Sequence, residues 1–189
     1  MVQDLQSVYR ARPAKAYDGT SGERATLVRH LDSAYNLARW LVKNEADARD
    51  LVHDAYIRAL HYFESFRGGD MRAWLLAIVR NGFYDSLKKS TAHQHTVFNE
   101  HVHSGSSETA NPETAMLADE KLASLRQALE GLPARLREVL VLRELEEMTY
   151  KEIAAVVGTP IGTVMSRLSR ARMQIQQNIR TKALAAEIK

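Results

Sequence analysis

Hydroxyl and guanidinium side chains share one face of a predicted helix near the C-terminus. At roughly 100° per residue, this face is formed by Thr163, Ser166, Arg167, Arg170 and Gln174. Guanidinium groups bind phosphates and guanine edges, and hydroxyl groups donate to phosphate oxygens. Residues 159–182 include five basic side chains and no acidic one. The pattern predicts a DNA-binding helix with outward-facing guanidinium groups.

Arg172 occupies a different side of the same predicted helix. It lies about 180° from Thr163 around the helix axis. We therefore expect Arg172 to contact flanking DNA backbone, or a helix of its own domain, and not the centre of a groove.

A short helix and a tight turn precede the basic helix. Thr149 is placed as an N-cap, and Glu152, three residues later, completes a capping box. Gly158 suits the left-handed residue that ends a helix, Thr159 is predicted to cap the next helix, and Pro160 fits its first turn. The arrangement is a helix-turn-helix, whose second helix enters the major groove of DNA.

A predicted helix from Met71 to Lys89 carries aromatic, amide and basic side chains. Unstacked bases settle on aromatic faces while cations follow the phosphate backbone, so this mixture is typical of binding to single-stranded nucleic acid. Trp74 falls on the apolar side of the helix and is interpreted as a core residue.

Acidic and imidazole groups cluster on the preceding predicted helix, Ala48 to Phe66. Asp50, His53 and Asp54 are spaced by three and four residues, so they share one face. Such a face is either solvated or a metal or acid–base site. Without a second ligand cluster, no metal site and no catalytic site are expected. The linker histidines at positions 93, 95, 101 and 103 are likewise a weak metal signal.

Changes in composition divide the 189 residues into two small helical domains joined by a flexible linker, an all-α fold. The predicted segments are a mobile arm at 1–22, a helical domain at 23–89, a linker at 90–110, a second helical domain at 111–182 and a tail at 183–189. Within the second domain, Asn111, Pro112 and Glu113 mark a helix start.

Overall composition limits the class of protein further. Cysteine is absent, which excludes disulfides and thiolate metal sites. No apolar run approaches the length of a membrane span, and the first twenty residues lack a signal-peptide core. We therefore expect a soluble, cytoplasmic protein. The net charge of +3 is small, so nucleic-acid affinity must come from local patches.

Three segments, in their order, resemble the extracytoplasmic-function (ECF) group of bacterial alternative sigma factors, in the sigma-70 superfamily. They read DARDLVHDAYIRAL, FRGGDMRAWLLAIVRNGFYDSLKK and LPARLREVLVLRELEEMTYKEIAAVVGTPIGTVMSRLSRAR. The resemblance covers about residues 23–180. It implies two helical domains, called regions 2 and 4, with no enzyme activity and no cofactor.

The resemblance also implies a partner for each polar cluster. The acidic face, Asp50, His53 and Asp54, would dock on the clamp helices of the beta-prime subunit of core RNA polymerase. Promoter DNA would be bound at its minus-10 element, as it opens, by Arg80, Asn81, Tyr84, Lys88 and Lys89. Its minus-35 element would be read by Thr163, Ser166, Arg167, Arg170 and Arg172. An anti-sigma factor is a further expected partner.

Two positions depart from the family pattern. His53 stands where the family often has glutamine, which predicts a pH-sensitive affinity for polymerase. Met165 stands where a second basic residue is common, so one base or phosphate contact of the family is not expected here.

Two other classes of protein share parts of this pattern. A sigma-mimicking protein keeps the fold but binds an anti-sigma factor instead of DNA; such mimics usually carry a receiver domain and would lose the outward basic face. An ordinary helix-turn-helix regulator would use its N-terminal half to sense a ligand or to dimerise. The acidic second helix and the aromatic, basic third helix fit that class poorly.

Overall fold

The structure, a computed structural model, describes residues 26–93, 123 and 125–187. These residues form helices and short turns, with no strand in the described ranges. The all-α prediction is confirmed. The predicted N-terminal arm, most of the predicted linker and the helix start at residues 111–113 lie outside the described residues.

Three helices form the N-terminal domain, and each contacts the other two. Helix α1 spans Leu31–Val42 and follows a 3-10 turn, Leu27–His30. Helix α2 spans Glu45–His61 and is followed by a second 3-10 turn, Phe63–Ser65, and helix α3 spans Met71–His93.

Three boundaries of α2 and α3 differ from the sequence prediction. Helix α2 ends at His61 and not at Phe66, since residues 63–65 form a separate 3-10 turn. Helix α2 begins three residues before Ala48, because the side chain of Asn44 accepts a hydrogen bond from the backbone N–H of Ala46 at 2.9 Å and so caps the helix. Helix α3 continues four residues beyond Lys89, to His93. Residues 90–93 therefore belong to a helix and not to a linker.

Helix α3 is the central helix of this domain. Every residue from 73 to 79 is buried, so all sides of this part of the helix are covered by other residues. Trp74 is 8% exposed and contacts the rings of Phe63 and Phe66, with ring centroids 6.2 and 5.1 Å away. Trp74 is thus a core residue, as its place on the apolar side indicated.

The C-terminal domain is built around the helix-turn-helix. Residues 125–130 are helical and end before Gly131. Helix α4 then spans Ala134–Glu144, helix α5 spans Tyr150–Val157 and helix α6 spans Ile161–Glu187. The predicted apolar stripes supply the core between these helices, with Val139, Leu142, Ile153, Val164 and Leu168 almost fully buried.

The two domains pack directly against each other. Helix α1 contacts α4, helix α3 contacts α5, and one continuous cluster of buried side chains includes residues of both domains. Within the described ranges no helix is both long enough and apolar enough to cross a membrane.

Candidate nucleic-acid interface and acidic groove

The helix-turn-helix begins with the predicted capping box. The backbone N–H of Thr149 donates to the Glu152 carboxylate at 2.6 Å, and the backbone N–H of Glu152 donates to the Thr149 hydroxyl at 3.3 Å. These bonds lower the pKa of the Glu152 carboxyl, the side-chain bond with Thr149 having the larger effect. The N-terminus of α5 is therefore fixed by local contacts.

The turn itself confirms one part of the prediction and corrects another. Gly158 ends α5 in the left-handed conformation, with φ of 64°. Thr159, however, does not cap α6, because its buried hydroxyl has no hydrogen-bond partner among the described residues. The carbonyl of Pro160 accepts from the backbone N–H of Thr163 at 2.9 Å and of Val164 at 3.2 Å. Pro160 thus precedes the first residue of α6.

The polar face of α6 is only partly accessible. Ser166 and Arg170 are exposed, whereas Thr163 and Arg167 are partly buried. Met165, where the family often has a basic residue, is 52% exposed. The prediction that all the guanidinium groups on this face point into solvent is therefore wrong for Arg167.

Two arginines of α6 are paired with acidic residues of α4. Arg167 Nη1 lies 3.4 Å from the Oε1 atom of Glu138, which is fully buried. Arg172 Nη2 lies 2.7 Å from Oε1 of Glu144, and both of these side chains are about half exposed. Arg172 thus contacts a helix of its own domain, one of the two alternatives expected from its position.

In the N-terminal domain, the polar groups predicted to bind DNA lie along the second half of α3. Arg80, Asn81 and Tyr84 are partly buried, whereas Lys88 and Lys89 are exposed. The Arg80 guanidinium lies 4.6 Å from the ring centroid of Tyr84 and donates to Asn81 Oδ1 at 3.4 Å. Burial, assisted by the negative charge of Glu138, raises the pKa of the Tyr84 phenol.

Arg80 also pairs with Glu138, across the boundary between the domains. Its Nε lies 2.9 Å from Oε2 of Glu138, and its Nη2 lies 3.4 Å from Oε1. Burial raises the pKa of the Glu138 carboxyl, and the charge of Arg80 opposes that shift. One buried carboxylate therefore binds an arginine from each of the two surfaces that were predicted to contact DNA.

The loop before α3 turns sharply. Gly68 and Gly69 adopt positive φ angles of 81° and 107°, a region that other residues rarely enter. The Asp70 side chain then accepts from the backbone N–H of Ala73 at 3.2 Å, which satisfies a donor in the first turn of α3. The loop is thus held at the start of the helix that carries Arg80 and Asn81.

An acidic groove of about 360 Å³ runs between α2 and α3. Asp50 and Asp54 line it, whereas His53 is exposed but is not among its lining residues. Apolar side chains form part of the wall, and Gly82 allows α3 to approach α2, since a Cβ there would lie 3.1 Å from Leu51 Cδ1. The remaining charged lining residues are Asp47, Arg58, Asp85 and Lys89.

Sequence reasoning missed the three buried charged residues of the described chain, Arg137, Glu138 and Glu146. Glu146 pairs with Arg72 of α3 and also accepts from Asn36 Nδ2 of α1 at 3.2 Å. Arg137 donates to the backbone carbonyl of Leu41 at 3.4 Å. The sequence gives only a weak signal for such burial. Arg137 and Glu138 interrupt the apolar segment LREVLVL, but the segment does not indicate their partners. The described residues contain no group of metal ligands.

Family models match both domains. The model for Sigma-70 region 2 matches residues 27–93, and the model for Sigma-70, region 4 matches residues 122–175. The N-terminal match contains α1, α2 and α3, and the C-terminal match contains the helix-turn-helix. Fold and matches together define a two-domain helical protein of the sigma-70 type.

Similarity to individual proteins identifies the group within the sigma-70 type. The chain is 32% identical over 166 residues to the ECF RNA polymerase sigma factor SigE of Mycolicibacterium smegmatis, covering 85% of this chain and 65% of the relative. It is 35% identical over 141 residues to the ECF RNA polymerase sigma-E factor of Escherichia coli strain K12, covering 70% of this chain and 74% of the relative. The chain belongs to the ECF group of RNA polymerase sigma factors, which direct promoter-specific transcription.

Solved structures agree with this assignment. The sigma factor RpoE of Bartonella quintana, in a co-crystal with the anti-sigma factor NepR, matches with a TM-score of 0.69 and 29% identity, over 85% of this chain and 98% of that one. CnrH, in complex with the cytosolic domain of CnrY, matches over 95% of this chain with a TM-score of 0.62. At 24% identity, the second match supports the fold alone.

Proposed function

We propose that this chain binds core RNA polymerase and directs initiation at promoters that have both a minus-35 and a minus-10 element. The observation that carries the proposal is the match of regions 2 and 4, in that order, to the two domains of the structure. Catalysis belongs to the polymerase in this proposal, and the chain supplies promoter recognition in the cytoplasm.

Helix α6 reads the minus-35 element in this proposal. A helix-turn-helix places its second helix in the major groove, where arginine binds guanine edges and hydroxyl groups bind phosphates. The exposed Ser166 and Arg170 support this assignment as the structure stands. In this proposal Thr163 and Arg167 also contact the element, Arg167 after its release from Glu138. Arg172 contacts flanking DNA backbone only when its pair with Glu144 opens.

Helix α3 binds the minus-10 element as the duplex opens. Bases that leave the stack require aromatic or planar cationic surfaces and groups that bond to base edges. Arg80 and Tyr84 form such a stacked pair, and Asn81 beside them offers both a donor and an acceptor. Lys88 and Lys89, exposed further along the helix, bind the phosphate backbone.

The acidic groove binds the clamp helices of the beta-prime subunit. Asp50 and Asp54 supply negative charge, while the apolar wall formed by Leu51 and Ile78 supplies contact area. A helix carrying basic and apolar side chains fits such a surface, because complementary charge guides association and apolar burial stabilises the complex. His53 lies beside the groove and contacts the rim of the same interface.

An anti-sigma factor is the proposed regulatory partner. The support is the likeness to RpoE of Bartonella quintana, whose structure was solved with the anti-sigma factor NepR. Purification of the chain from its host before induction tests this proposal. We expect a stoichiometric partner that inhibits the chain. An active chain without such a partner would contradict the proposal of an anti-sigma factor.

Transcription from a genomic promoter library by core polymerase, with and without this protein, tests the main proposal. A sigma factor gives new transcripts that start downstream of a shared pair of elements. An ordinary regulator changes transcription only when another sigma factor is present. A sigma mimic gives no new transcripts, and either of these last results would contradict the proposal.

A further inference from the structure

Helix α6, the second helix of the helix-turn-helix, exposes large apolar side chains as well as polar ones. Ile161 is 45% exposed and Met165 is 52% exposed, and the two lie about one turn apart at the start of the helix. Val164 and Leu168, from the same part of α6, are buried in the core. Ile161 and Met165 therefore lie outside the core, and their apolar surface is accessible in the structure as it stands.

Met165 is continuous with the surface that is proposed to bind the minus-35 element. Ser166, an exposed residue of that surface, follows Met165 in the chain and lies about 100° from it around the helix axis. The major groove is about 12 Å wide, which is close to the diameter of a helix with its side chains. A groove that covers Ser166 therefore also covers Met165.

Gly162 leaves this part of the helix open to close approach. Apart from its chain neighbours and the adjoining backbone of α6, no atom of the described chain lies within 4 Å of the position that a Cβ on Gly162 would take. Around the axis Gly162 lies about 60° from Met165 and 40° from Ser166. A glycine weakens a helix relative to alanine, and packing within the described chain does not require one here. It does allow another molecule to lie close to the helix backbone beside Met165.

The major groove offers one kind of apolar group to such a side chain. Guanine, adenine and cytosine present hydrogen-bond donors and acceptors there, whereas thymine also presents its methyl group. The thioether of methionine is only a weak hydrogen-bond acceptor, but its flexible chain adapts to the shape of an apolar neighbour. Contact between the two removes apolar surface of both partners from water, which stabilises the complex.

We propose that Met165 is a specificity-determining residue, which packs against the methyl group of one thymine in the minus-35 element. The inference rests on the proposed function, because it takes α6 to lie in the major groove at that element. Met165 then favours a T·A pair at one position, in addition to the base bound by Arg170. The promoters that this chain uses should share that T·A pair.

Replacement of thymine by uracil tests the contact, because it removes the methyl group and keeps the hydrogen-bonding groups of the base. In promoters found by the transcription assay, each thymine of the minus-35 element is replaced singly, on either strand, and binding of holoenzyme to each duplex is measured. We expect uracil to weaken binding about three- to fourfold at one position, the factor that corresponds to burial of one methyl group. No loss at any thymine would overturn the proposal, as would a minus-35 element without a T·A pair.

Variants of Met165 assign the loss to this side chain. Because Met165 is about half exposed, its replacement should leave the domain folded. Met165→Ala should bind the thymine and uracil duplexes equally, whereas Met165→Leu, which keeps a large apolar side chain, should retain the difference. Undiminished preference for thymine in Met165→Ala would overturn the proposal, since another group would then contact the methyl.

Met173 provides a matched control on the same helix. It is 53% exposed and lies eight residues after Met165, about 12 Å farther from the N-terminus of α6. Because the second helix of a helix-turn-helix contacts base edges with its N-terminal residues, Met173→Ala should retain the preference for thymine. A loss of preference equal to that of Met165→Ala would overturn the proposal.

Failure of the sigma function and failure of the role of Met165 give different results. Without the sigma function, holoenzyme would bind and transcribe none of the library promoters, and the role of Met165 would fall with it. If only the role of Met165 is incorrect, holoenzyme would bind these promoters and would not distinguish uracil from thymine through this side chain.

Discussion

Arg80 Nε and Glu138 Oε2 lie 2.9 Å apart, although the two residues are 58 positions apart in the chain. The same carboxylate binds Arg167 of α6. A residue of the proposed minus-10 surface and a residue of the proposed minus-35 surface thus share one counter-ion. Both arginine side chains are mostly buried in this cluster of three charges, at 17% and 16% exposure.

Arg170 and Arg172 should differ in the kind of DNA contact that they make. Arg170 is exposed on the polar face of α6, whereas Arg172 pairs with Glu144. If Arg170 binds guanine through two hydrogen bonds, Arg170→Ala should cost about 1–3 kcal/mol on promoters with that base and relax preference at one position. Arg172→Ala should act evenly on all sequences. The measurement is binding of holoenzyme to promoters varied at each minus-35 position, at two salt concentrations.

Charge reversal in the acidic groove should prevent assembly with polymerase. Asp50→Lys with Asp54→Lys places two cations where clamp helices are proposed to bind, and like charges in such an interface cost several kcal/mol. Pull-down of core polymerase checks the loss, and circular dichroism checks that the helices remain. Asp32→Lys, at an exposed position of α1 outside the groove, is the matched control. Full pull-down by the double variant would rule out this docking site.

Asn81 should contribute to promoter opening. Its amide lies beside Arg80 at the start of the aromatic and basic surface of α3, where it can bond to the edge of an unstacked base. Asn81→Ala should therefore cost about 1–3 kcal/mol at one position of the minus-10 element. Permanganate reactivity of the promoter measures the loss of opening. Binding to promoters varied at each minus-10 position measures the change in base preference. Unaltered preference and opening would place the base contact elsewhere.

The capping box should make the stability of the C-terminal domain depend on pH. Thr149→Val removes the side-chain acceptor and should cost about 1 kcal/mol of unfolding free energy. The Thr149 hydroxyl also donates to the Glu152 carboxylate and lowers its pKa. This part of the contribution is present above the usual carboxyl pKa and is lost as pH falls through the lowered one. Thermal unfolding should be measured as a function of pH. The difference in stability between Thr149→Val and the unaltered chain should become smaller in acid.

Thr159→Val is the matched control for that change. It removes a hydroxyl that is buried without a partner among the described residues, so it should be neutral or slightly stabilising. A loss of stability equal to that of Thr149→Val would show that the Thr159 hydroxyl makes a contact in solution.

Most of the secondary structure could be predicted because its causes are local. Thr149 and Glu152 are one helical turn apart, and Gly158 ends α5 through its own backbone conformation. The errors have local causes too: Asn44 was not recognised as the cap of α2, and Thr159 was assigned a capping role that its orientation does not support. Apolar spacing identified the buried side of each helix because a helix in contact with a core must bury that side.

The sequence by itself determined the helices, the two domains, the helix-turn-helix and the polar groups that we propose to bind DNA and polymerase. Only the tertiary structure decided which charges meet. Glu138 and Glu146 lie in or next to α4 like any other acidic residues, and their pairing with Arg80 and Arg72 depends on how two separately patterned domains pack. Periodicity reports which side of a helix is apolar. It carries no information about which partner from a distant part of the chain will neutralise a charge buried between domains.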